Sequence, residues 1–100
     1  MATVSADLDT LERLYNTLKE NVQKCDSIQK TTDHSLESVV WQSANAESFR
    51  AQWTEFKPKL MNFEQVFATA ATDVANNHNN IATANGEKDR PVLAPVEAIS

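Results

Sequence analysis

One hundred residues with a net charge of −5 and an isoelectric point near 4.9 predict a single domain. That charge disfavours nucleic acid, whose phosphates need Lys and Arg to neutralise them, and simple adsorption to anionic lipid. The single cysteine, Cys25, excludes an internal disulfide and a cysteine-based metal site.

Residues 1–9 have neither a basic start nor an apolar core, so they are not a conventional signal peptide. No run approaches the roughly 18 apolar residues that a spanning helix needs. Synthesis in the cytoplasm is expected. With one glycine and three prolines, two of them in the last ten residues, positions 1–85 hold almost no structure breakers. Their Ala, Leu, Gln, Glu and Lys favour long helices.

The first predicted helix covers about residues 7–38. Leu11, Leu18, Cys25 and Thr32 form one column seven apart, and Leu8, Tyr15, Val22, Gln29 and Leu36 form another. Steps of three and four between them describe a helix with one apolar seam. Leu14 and Ile28 widen it. Cys25 on that seam reads as a buried small hydrophobe. Asp7, Asp9 and Glu12 read as first-turn charges matching the helix dipole, not as acid–base pairs.

A turn follows at 39–44, where Ser43 or Asn45 can accept a hydrogen bond from the free amides of the next helix. The second helix is predicted over about 45–84. One column is Ala46, Trp53, Leu60, Phe67, Val74 and Ile81, and the other is Phe49, Phe56, Phe63, Ala70 and Asn77. Pro58 falls on the outermost column, with Ala51, Gln65, Thr72 and Asn79. An interior proline costs about 3 kcal/mol, but on the solvent side it bends a helix in its natural sense, so a kink near Pro58 is expected rather than a break. A short turn makes the two helices antiparallel. Residues 1–86 are therefore predicted to be a helical hairpin, stopped by Gly86, and 87–100 an extended or disordered, flexible tail. Val92, Leu93, Val96 and Ile99 make that tail apolar.

The expected fold is all-α, an antiparallel two-helix hairpin that dimerises into a four-helix bundle. Two helices cannot enclose a seam of Leu11, Tyr15, Leu18, Val22, Phe49, Trp53, Phe56, Leu60, Phe63, Phe67 and Val74. Each large apolar side chain left wet forgoes roughly 1.5–3 kcal/mol. A flank of small residues with Met61, Ala68, Ala75 and Ala82 offers a further helix a close approach. Nothing in the sequence resembles a nucleophile–base pair, a phosphate loop or a metal cluster, so neither enzymatic activity nor a cofactor is expected. His34 near the turn and His78 near the open end are too far apart to share a metal.

The central stretch Val40-Trp41-Gln42-Ser43-Ala44-Asn45-Ala46-Glu47-Ser48-Phe49-Arg50-Ala51-Gln52-Trp53 resembles the turn of the WXG-100 (early-secreted-antigen-like) family, proteins exported by type VII (ESX) secretion systems. The family pattern is Trp-x-Gly, followed by small residues and spaced aromatics. Trp41, Ala44, Ala46, Phe49 and Trp53 match it, with Ser43 in place of the glycine. The family's Tyr-x-x-x-Asp/Glu signal after the second helix has no counterpart, since Tyr15 is the only tyrosine.

The resemblance implies a secreted dimeric substrate or adaptor. It would be paired with itself or with a second helical hairpin, with Trp41, Gln42 and Ser43 as turn and export motif. Val92, Leu93, Val96 and Ile99 would be tail residues that dock on the secretion ATPase. A cytoplasmic chaperone-like partner of a larger helical toxin or substrate would use the same surface. A membrane-active effector is a third reading, weakened by the acidic charge.

Overall fold

A computed structural model describes residues 4–87 and 89–99, with side chains from Asp7 onward. It contains two helices and, among the described residues, no strand: α1, Val4–Ser38, and α2, Ala44–Ala84. They pair as an antiparallel hairpin with extents of 62 × 21 × 16 Å. At about 1.5 Å per residue, α2 alone accounts for the long dimension.

Each helix end has a local cause. The Ser38 hydroxyl turns back to donate to the His34 carbonyl oxygen at 2.9 Å, and the β-branched pair Val39-Val40 follows outside the helix. Ser43 caps α2, its Oγ accepting from the Ala46 amide at 3.0 Å. At the far end the Glu87 amide donates to the Ala82 carbonyl and the Gly86 amide to the Thr83 carbonyl. This paired closure places Gly86 in the left-handed region, with φ +68°, a conformation that glycine adopts without the steric cost of a Cβ. Between these caps α2 runs through Pro58, which lies exposed, so the carbonyl that loses its amide partner faces water.

The line of contact between the helices differs from the expected seam. On α1 it follows the sequence pattern, with Leu8, Tyr15, Val22, Cys25 and Gln29 buried. On α2 the buried residues are Ala46, Leu60, Glu64, Ala68, Ala71, Ala75, His78 and Ala82. Phe49, Phe56 and Phe63 instead lie on a flank, 41%, 47% and 54% exposed. Helix backbones approach closely only where side chains are small. The alanine column supplies that, and α1 is the helix that uses it. A phenylalanine every seven residues would hold the backbones apart.

Several polar residues on this line have partners across it, whereas buried Asp26 pairs with Lys30 on its own helix. Gln29 Nε2 donates to Glu64 Oε1 at 2.9 Å, Trp53 Nε1 donates to Asp33 Oδ1 at 2.8 Å, and Lys57 pairs with Asp33. Cys25 is buried, and burial together with the Glu64 carboxylate pushes its thiol above the ordinary value. A buried, protonated thiol is a packing group.

Candidate functional site

The turn is a small aromatic cluster. Trp41 is half-buried, its ring centroid 5.9 Å from that of Phe49. The Arg50 guanidinium lies 5.7 Å from the Trp41 ring centroid, within cation–π range, and Nη1 donates to the Trp41 carbonyl oxygen at 2.9 Å. One residue thus binds both the ring and the backbone of Trp41. Gln42 is exposed. Ser43 has φ −172° and ψ 168°, extended backbone that any residue adopts, so this turn makes no demand for glycine at that position. Ser43→Ala is expected to lower stability by about 0.5–2 kcal/mol and Ser43→Gly by only a few tenths, read from urea unfolding. Equal losses would remove the capping role.

An apolar flank runs from the turn along one side of the hairpin. At about 100° per residue, Phe49, Phe56 and Phe63 fall to one side of the buried line of α2. On α1, Leu14 and Ile28, 45% and 47% exposed, lie on the same flank. Half-buried Leu11, Leu18, Leu36, Trp53, Phe67, Val74 and Ile81 connect it to the core. An open hollow of about 350 Å³ lies in it, lined by Phe49, Gln52, Trp53, Glu55, Phe56 and Lys59. Of the expected seam, Tyr15, Val22 and Leu60 are buried between the helices, and Phe49, Phe56 and Phe63 are exposed.

The opposite flank is covered from the open end to the level of Glu64. Residues 89–99 return along the groove between α1 and α2 instead of extending away. Leu93 and Val96 pack on Tyr15, Ala71 and Ala75, while Val92 and Ile99 remain exposed. The tail is anchored at the open end, where Arg90 Nη1 contacts Asp9 Oδ1 and Glu12 Oε2, each at 2.5 Å. Glu12 Oε2 also meets Nε2 of His78 at 3.0 Å, and His78 is fully buried.

Asp9 and Glu12 therefore hold the tail; because α1 begins at Val4, only Asp7 of the three acidic residues lies in the first turn, where the helix dipole acts. Sequence reasoning missed this group, together with Thr72, Asn79 and Glu64, which also hold the tail. By heptad position Thr72 and Asn79 fall on the outermost column of α2. The available signal was the period of three in Arg90, Leu93, Val96 and Ile99.

Two carboxyls respond to this packing. Burial works against Glu12, but hydrogen bonds to His78 and Arg90 prevail and hold it below its ordinary value. Hydrogen bonds from Lys57 and Trp53 do the same for Asp33. The unfolded chain therefore takes up protons at these sites before the folded chain does. The stability they contribute is whole above the ordinary carboxylate range, about pH 4 to 4.5, and is lost as pH falls through the lower folded values. Arg90→Gln is expected to shrink the difference in unfolding free energy between pH 7 and pH 3. An unchanged difference would show that Arg90 does not set the Glu12 proton affinity.

Among the described residues no group of three or more His, Cys, Asp and Glu is placed to hold a metal ion, and no helix is long and apolar enough to cross a membrane. No protein-family model, curated protein or solved structure matches the chain.

Proposed function

We propose that this chain works by pairing, as one half of a four-helix bundle of the WXG-100 type that a type VII (ESX-like) system exports as a folded substrate or adaptor. The observation that carries the reading is the apolar flank. Phe49, Phe56, Phe63, Leu14 and Ile28 are each 41–54% exposed on a hairpin whose other flank is already occupied. A second helical hairpin, its own copy or a related chain, matches that surface in length and chemistry.

The Trp41-Gln42-Ser43 turn supports the same reading. It presents a half-buried tryptophan fixed by Arg50 at the tip of the hairpin, and its serine caps α2 where the family has glycine. Of the four apolar tail residues, Leu93 and Val96 are taken up by the hairpin, so contact with a secretion ATPase would fall to the exposed Val92 and Ile99. Deleting that ATPase in the cell that encodes this chain is expected to abolish its appearance in the medium while its level inside rises. Undiminished export would refute the reading.

A further inference from the structure

The tail is held in a repeating register. Asn79 binds both main-chain groups of Leu93: Nδ2 donates to the carbonyl oxygen and Oδ1 accepts from the amide, each at 2.9 Å. Three residues on, Thr72 Oγ1 does the same for Val96, donating to the carbonyl at 3.0 Å and accepting from the amide at 2.9 Å. Three residues further, the Ile99 amide donates to Glu64 Oε2 at 2.8 Å. From α1 the Tyr15 hydroxyl donates to the Ala94 carbonyl at 2.8 Å.

The spacing explains the match. Asn79 and Thr72 are seven residues apart on α2, about 10.5 Å at 1.5 Å per residue. Three residues of polyproline-II chain span about 9.3 Å. The longer Glu64 side chain bridges the slightly larger interval to Ile99. The segment has the composition for this conformation. Pro91 and Pro95 lie exposed, at positions where no amide is needed, and their fixed φ suits an extended chain. Arg90, Leu93 and Val96 are half-buried at every third place.

Such side-chain reading of an extended backbone is how a peptide groove works, with alternate pockets supplying specificity. We propose that the groove between the helices is a recognition site for an extended segment of the form Arg-x-x-Leu-x-x-Val. Its occupant is the chain's own tail, docked as a separable ligand. The inference does not depend on export or on pairing through the other flank.

The test uses the full chain. Leu93→Asp with Val96→Asp empties the groove, and a fluorescent synthetic peptide of the native sequence 89–99 is then added. The peptide is expected to bind this variant at least about tenfold more tightly than the unaltered chain, where the tethered tail competes at a millimolar effective concentration. Adding Asn79→Ala is expected to weaken that binding about fivefold or more, and a peptide with its Leu and Val displaced by one position is expected not to bind. Absence of binding to a variant that keeps its helical circular dichroism overturns the proposal, as does equal binding of the displaced peptide.

Amide exchange in the unaltered chain gives an independent reading. Leu93, Val96 and Ile99 should be protected and Val92, Ala94 and Glu97 not. A uniform rate along the tail overturns the proposal. So does protection that falls on dilution, because the tail of a second copy would then fill the groove.

Discussion

A chain carrying Phe56→Glu and Phe63→Glu is expected to remain a helical hairpin and to lose its partner. Both side chains are about half exposed in the single chain, so pairing would remove roughly the other half of each from water. That is worth about 0.75–1.5 kcal/mol per phenylalanine, taking half of the full burial value. A symmetric pair contains four of them, giving about 3–6 kcal/mol, or roughly two to four powers of ten in the dissociation constant. The introduced carboxylates add a desolvation cost of the same sign. Within the hairpin the change is mild, because neither side chain lies between the helices and Glu has at least as good a helix propensity as Phe. Sedimentation equilibrium, with circular dichroism as the control for folding, reads both halves of the expectation. Unchanged association with unchanged helix content would place the partner surface elsewhere.

Tyr15→Ala is expected to be among the most damaging single substitutions. Tyr15 is 5% exposed and stands at the centre of the cluster with Ala71 and Ala75, where α1, α2 and the tail meet. Truncating a buried aromatic ring costs about 3–5 kcal/mol when its surroundings cannot collapse into the space. Here the buried neighbours Ala71 and Ala75 are short side chains on a rigid helix, and Leu18, Val74, Leu93 and Val96 already make their own contacts around the ring. Such a loss is a large fraction of the 5–15 kcal/mol typical of a folded domain, so the urea midpoint should drop sharply. Tyr15→Phe isolates the hydroxyl that donates to the Ala94 carbonyl and should cost only about 0.5–1.5 kcal/mol. Similar losses for both variants would mean that the hydroxyl, not the ring, holds this junction.

The two helices and the turn between them could be read from the chain because their causes are local. Heptad spacing, scarcity of glycine and proline, a serine before a helical run and a glycine after one each act within a few residues. Which side of α2 faces α1 was not readable in the same way. The apolar columns of α2 pointed to Phe49, Phe56 and Phe63, and hydrophobicity alone gave no reason to prefer the neighbouring line through Lys57, Glu64, Ala71 and His78. That choice depends on partners far along the chain: Asp33 for Trp53 and Lys57, Gln29 for Glu64, Glu12 for His78. It also depends on how closely alanine lets two backbones approach. The position of the tail was hidden for the same reason. Thr72 and Asn79 look like ordinary solvent-facing residues until a strand of main chain is laid beside them.

The docked tail has a consequence for stoichiometry. A hairpin apolar on both flanks could be added to from either side, and identical units joined face to opposite face grow without limit, as open rows do. With one flank filled by residues 89–99 and lined toward the turn by the Lys57–Asp33 and Lys30–Asp26 pairs, each copy has a single apolar flank left to offer. Association through that flank, as proposed above, would use it up on both members, so growth would end at two and the tail would act as the chain terminator of the assembly.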